Sequence, residues 1–131
     1  MQALFRNTPL AALEHTAVFS QKRHELLAGN LANMDTPGYR SRDLSQSDFE
    51  DALAESIKAQ NSPTSISPSQ RMFASDGPRK ASEQVIFHDN SDVSLETQVT
   101  EIAKNQHLHG LAITTMRSQF SLLQAAITER A

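Results

Sequence analysis

Between Leu95 and Ile127 two seven-residue series run side by side: Val99, Gln106, Ile113, Phe120 and Ile127 in one, Leu95, Ile102, His109, Met116 and Leu123 in the other. Residues seven apart fall on one stripe of an α-helix, because two turns nearly complete the cycle. The spacing predicts one uninterrupted helix, capped by Ser94 or Asp92 and roughly 50 Å long at 1.5 Å per residue. Its apolar seam, Leu95, Val99, Ile102, Ile113, Met116, Phe120, Leu123 and Ile127, contributes about 1.5 to 3 kcal/mol per residue when fully buried. Fixing the backbone costs about 1 to 2 kcal/mol for every residue ordered, before hydrogen bonds are counted. Such a helix cannot stand alone, so the seam requires a partner.

The other end of the chain supplies a matching stripe. Leu10, Leu13, Ala17, Leu27, Leu31 and Met34 recur at helical spacing, with Ser20 and His24 continuing the seven-residue series between them. This predicts a helix from about residue 9 to 34, with Asn7 or Thr8 as cap and Pro9 in the first turn, where a missing N–H costs nothing. Asp35-Thr36-Pro37-Gly38 ends it: Pro37 drives Thr36 out of the α region and Gly38 accepts positive φ, which suits a type II turn. The expected fold is mainly α, with long N- and C-terminal helices packed as a coiled coil. The chain divides into residues 1–44, a variable middle segment 45–90, and the heptad helix in 91–131. Polar residues inside the seams, Ser20 and His24 on one helix and Gln106 and His109 on the other, read as a register device, as a face that meets a neighbouring subunit, or as partly exposed positions.

The middle segment is less regular. Phe49, Leu53 and Ile57 predict a short helix ending before Asn61-Ser62-Pro63, with Ser47 and Glu50 matching a capping box. Ser62 to Ser69 reads as a linker. Arg71-Met72-Phe73 and Val85-Ile86-Phe87, separated by a turn at Asp76-Gly77-Pro78, are expected to pair as a small β element.

Composition removes several function classes. Apolar residues make up 38% of the 131, Trp is absent and Phe and Tyr are few, so the core suits narrow helical seams better than a deep ligand cavity. The absence of Cys excludes disulfides, thiolate metal sites and cysteine nucleophiles. With a net charge of -3 and no window rich in Lys and Arg, nucleic acid is not an expected partner. No segment has the roughly 20 apolar residues of a membrane helix, and Met1 to Leu13 lacks the pattern of a cleavable signal. His24-Glu25 begins a zincin motif, but position 28 is Ala where the second His is needed. His107 and His109 are two apart on a helix and face different ways, which disfavours a shared metal. A helix-borne His also raises a histidine phosphotransfer module, yet neither His24 nor His109 is followed by the Lys that such modules carry. No phosphate loop, nucleophile elbow or convincing carboxylate pair is present, so no catalytic, cofactor-binding or metal residue is expected.

Residues 25 to 44 hold the most specific signal. Asn30-Leu31-Ala32-Asn33 followed by Asp35-Thr36-Pro37-Gly38-Tyr39 strongly resembles the N-terminal signature of flagellar rod and hook proteins, and Arg42-Asp43-Leu44 just beyond is most similar to the proximal rod members. A second stretch, Asp89 to Glu96 continuing into Ala103-Lys104-Asn105-Gln106, resembles the start of the C-terminal helix in the same family. The resemblance covers both ends of the chain and leaves the middle without motifs. In physical terms, Asn30 and Asn33 lie on the last helical turn, where their amides can satisfy orphan carbonyls or bond across to a neighbour, and Tyr39 can pack back on the turn.

The resemblance implies a structural axial subunit of the basal body, exported by the flagellar export apparatus without a cleaved signal peptide. It implies assembly of the terminal helices into a periplasmic rod between the membrane ring and the distal rod. Partners of this type are further copies of the chain, FlgC-like rod subunits and a FliE-like junction protein, with no small-molecule substrate. The alternatives that the residues leave are a cytosolic helical export chaperone and the phosphotransfer module.

Overall fold

The structure, a computed structural model, describes residues 9–61, 68–88 and 94–128. Helix α1 (Pro9–Ala32) begins at the proline, as its fixed φ favours. Its C-terminal end is tied off by Asn33, whose backbone N–H and side-chain Nδ2 both donate to the Gly29 carbonyl, at 3.1 and 2.8 Å. The chain then turns with Tyr39 N–H donating to Thr36 O at 3.2 Å and Gly38 at φ 77°, the geometry of the expected type II turn.

After the turn come strand β1 (Arg42–Leu44), helix α2 (Gln46–Asn61), helix α3 (Pro68–Ala81), strand β2 (Val85–Phe87) and helix α4 (Leu95–Thr128). Helix α4 spans 34 residues, roughly 50 Å, whereas α1 has 24. Ser94 caps α4 by accepting the Thr97 N–H on its hydroxyl at 3.2 Å. Helices α1 and α4 pack antiparallel: Asn30 lies beside Gln98, Arg23 beside Glu101, and Ser20 beside Asn105 and His109. The long terminal helices therefore pair as expected.

The middle segment forms a helical hairpin, α2 against α3, docked on α1. Phe19 and Phe49 stack with centroids 4.1 Å apart and planes 12° from parallel, and Leu44 and Ala81 complete the buried cluster. Leu26, Ala52 and Leu53 close its sides. Where the two hairpin helices approach, a Cβ on Gly77 would sit 3.5 Å from that of Ala52.

Three local expectations are corrected. Arg71-Met72-Phe73 lies in α3, and β2 pairs instead with β1, antiparallel, with Arg42 opposite Phe87, Asp43 opposite Ile86 and Leu44 opposite Val85. The stretch Gln70 to Ser75 contains no β-branched residue, and the anticipated turn at Asp76-Gly77-Pro78 continues the helix. Asp76 there pairs with Arg79 at 2.7 Å and Lys80 at 3.4 Å, contacts that helical spacing creates. The cap of α2 is Ser45, two residues before the expected Ser47: its Oγ accepts the Asp48 N–H at 3.2 Å. Pro68 and Ser69, expected in the linker, start α3. The rest of that linker, residues 62–67, the candidate caps Asn7, Thr8 and Asp92, and residues 89–93 of the second motif lie outside the described residues.

Candidate assembly interface

The signature residues divide into an inward and an outward set. Asn30 is buried, and its carboxamide makes two bonds to one residue: Nδ2 donates to Arg42 O at 2.7 Å, and Oδ1 accepts Arg42 N–H at 2.9 Å. The amide thus occupies the free edge of β1 much as another strand would. Tyr39 donates its hydroxyl to the same Oδ1 at 3.1 Å. A Cβ on Gly29 would lie 3.8 Å from that hydroxyl, so the ring packs back over the last helical turn. Leu31, Ala32 and the turn Asp35-Thr36-Pro37-Gly38 are exposed. The motif therefore fixes one corner of the fold while presenting a turn to the outside.

Arg23 is the second organising residue, and the motif does not contain it. Arg23 is 5% exposed, and its guanidinium takes a bidentate bond to Asp43, both contacts 2.8 Å, with Glu101 at 2.8 Å and Gln46 at 3.0 Å. One side chain from α1 thus ties β1, α2 and α4 together. The Asp43 hydrogen bonds raise its pKa above the ordinary arginine value, against the cost of burial. Glu101 is held below its ordinary value, first by the Lys104 hydrogen bond and then by Arg23, against desolvation.

Further along the pair, Asn105 Nδ2 donates to Ser20 O at 2.7 Å, and Ser20 Oγ meets His109 Nδ1 at 2.9 Å. Ser20 Oγ also donates to Ala17 O at 2.9 Å, an arrangement that the Nδ1–H tautomer of His109 complements. Of the polar seam residues, Ser20 and His109 come together, His24 is half-buried and Gln106 faces outward.

The α4 face that packs on α1 follows Gln98, Asn105 and Ala112, all buried, a series one residue out of phase with the apolar heptad. Ile102, Ile113 and Met116 flank it half-buried. Leu95, Val99, Phe120, Leu123 and Ile127 are exposed, from 43% at Leu123 to 73% at Ile127. The chain's own fold leaves most of the expected seam uncovered. Apolarity alone misled the phase, because the buried line is largely amide and carboxylate. Its signal is the complementarity of Ser20, Arg23 and Asn30 on one helix with Gln98, Glu101 and Asn105 on the other, all at heptad spacing.

Among the described residues no group of His, Asp and Glu is placed to hold a metal, and no helix is long and apolar enough to cross a membrane. A shallow groove between α1 and α2, lined by Pro9, Ala12, His15, Leu53 and Ile57, contains no convergent acid–base pair.

Comparison with known proteins places this architecture. No protein-family model matches the chain. Three relatives each carry the name flagellar basal body rod protein FlgB. The protein from Cereibacter sphaeroides is 33% identical over 105 residues, which is 80% of this chain and 75% of the relative. That from Aquifex aeolicus is 29% identical over 120 residues, covering 86% and 87%. That from Bacillus subtilis is 24% identical over 129 residues, covering 96% and 97%. Matching sequence that spans both terminal helices, the buried Asn30 corner and the middle hairpin shows that the chain belongs to the FlgB family of flagellar basal body rod proteins.

Proposed function

We propose that this chain is a structural axial subunit of the proximal rod, polymerising through its terminal helices and helping to connect the membrane ring to the distal rod in support of motility. The observation that carries the reading is the uncovered apolar series on α4, Leu95, Val99, Phe120, Leu123 and Ile127, on a helix longer than the one it packs against. An apolar strip of this extent on a folded chain calls for a protein partner. Further copies of the chain, FlgC-like subunits and a FliE-like junction protein are the partners in this reading. The chain reaches the periplasm through the flagellar export apparatus without a cleaved signal and performs no catalytic step. The signature residues Asn30 to Tyr39 serve as the assembly motif, Asn30 and Tyr39 holding the corner and the exposed turn offering contacts.

Phe120→Asp tests the assembly claim, since Phe120 is 49% exposed and its replacement leaves the α1–α4 contacts intact. The variant should fold and be exported yet fail to enter the rod, abolishing motility. Normal motility with wild-type incorporation would remove the terminal-helix surface as the means of assembly.

A further inference from the structure

The small sheet has two edges, and among the described residues only one is closed. In an antiparallel ladder, peptide groups alternate between facing the partner strand and facing away. His88 N–H donates to Ser41 O at 3.0 Å, and with Arg42 opposite Phe87 this makes Ser41–His88 and Asp43–Ile86 the hydrogen-bonded pairs. Arg42 then turns its peptide groups away from β2, and the Asn30 amide takes both. By the same alternation Val85 and Phe87 turn their N–H and C=O groups away from β1, and nothing among the described residues bonds to them.

The open edge is also apolar: Val85, Ile86 and Phe87 are 41%, 40% and 59% exposed. Proteins normally blunt such an edge with charge, proline or cover, because it accepts another strand. Asp43, opposite Ile86, is engaged by Arg23, and the two other charges beside the strand are cationic and do not blunt it. The Arg40 guanidinium stands 5.6 Å from the Phe87 ring centroid, Arg42 is exposed opposite Phe87, and neither forms an ion pair among the described residues.

From this geometry we infer that β2 is a strand-addition site that receives an extended, acidic segment of a different axial subunit. The outward groups of Val85 and Phe87 supply the backbone bonds, and Arg40 and Arg42 receive its carboxylates. A second copy of β2 suits the site poorly: residues 84–88, Gln-Val-Ile-Phe-His, carry no acidic group, and the preceding Glu83 is paired with Arg79 at 3.5 Å. The inference rests on the rod reading and adds to it a surface separate from the α4 strip.

Hydrogen exchange on the full-length chain, free and within detergent-purified basal bodies, tests it directly. The Val85 and Phe87 amides should exchange fast in the free chain and slow by about tenfold or more in the basal body, while Ile86 is protected in both. Equal rates at Val85 and Phe87 in the two states would overturn it. Val85→Pro deletes one outward N–H and should lower incorporation, while Val85→Thr should not. Equal incorporation of both would contradict the site. A photo-crosslinking phenylalanine analogue at position 87 should capture an acidic stretch of another subunit type, and capture of a second copy would overturn the assignment. Wild-type chain present in basal bodies with an unprotected edge defeats only this inference, whereas its absence there defeats the rod reading as well.

Discussion

Asn30 and Arg42 are joined as paired strand residues are joined, by two hydrogen bonds of 2.7 and 2.9 Å, except that one side of the pair is a side-chain carboxamide projecting from a helix. Helix end, turn and sheet edge are thereby fixed by one amide. Asn30→Ala leaves both Arg42 groups without these partners and should cost about 1 to 3 kcal/mol in urea unfolding. Asn30→Asp keeps the acceptor but sets a second buried oxygen against the Arg42 carbonyl, and should cost at least as much as Asn30→Ala.

Arg23 should be the most sensitive polar position. Arg23→Leu leaves Asp43 buried without its cation, and a loss of about 3 to 5 kcal/mol is expected from chemical denaturation. Removing the orphaned charge in Arg23→Leu/Asp43→Leu should recover much of that loss. A double variant no better than the single one would show that Asp43 owes little to the guanidinium.

Acid should weaken the fold through Glu101. Its folded pKa lies below the ordinary 4.5, so the unfolded chain binds the proton more readily. The corresponding stabilisation is complete above that value and declines as pH falls below it. Arg23, raised above its ordinary value by Asp43, adds a contribution that is constant through this range. Urea midpoints at neutral and acid pH should show the decline, and Glu101→Gln should flatten it.

Asn105 is buried with its Oδ1 unpartnered, while its Nδ2 reaches Ser20 O. A half-satisfied amide between two helices favours alignment over stability. Asn105→Leu should therefore raise the melting temperature of the isolated chain while lowering incorporation into the rod.

Gly110 lies mid-helix with nothing within 4 Å of where a Cβ would stand. Gly110→Ala should stabilise the free chain by about 0.5 to 1 kcal/mol, read as a higher urea midpoint.

Much of this fold is legible in the sequence because its determinants are local. Pro9, the Thr36-Pro37-Gly38 turn and Ser94 mark helix ends by backbone chemistry that needs no tertiary context. The signature from Asn30 to Tyr39 identifies the family from residues alone. Residues that depend on distant partners are not legible in this way. Pairing of Val85-Ile86-Phe87 with Arg42-Asp43-Leu44 spans over forty positions, and β1 is held on its other side by Asn30 and Arg23, which no strand pattern reveals. The phase of α4 was hidden because its strongest apolar series faces outward, leaving Gln98 and Asn105 to make the contact within the chain. Within the proposed rod role that division has a use, with polar contacts setting the chain's own register and the exposed apolar ones left for neighbours.

Quantitative mass spectrometry of detergent-extracted hook and basal bodies from the source cells tests the central claim most directly. The account predicts this chain in a fixed ratio to the other rod proteins, unchanged through further purification. Its absence from intact basal bodies, with the chain recovered in the cytosol, would contradict the axial role.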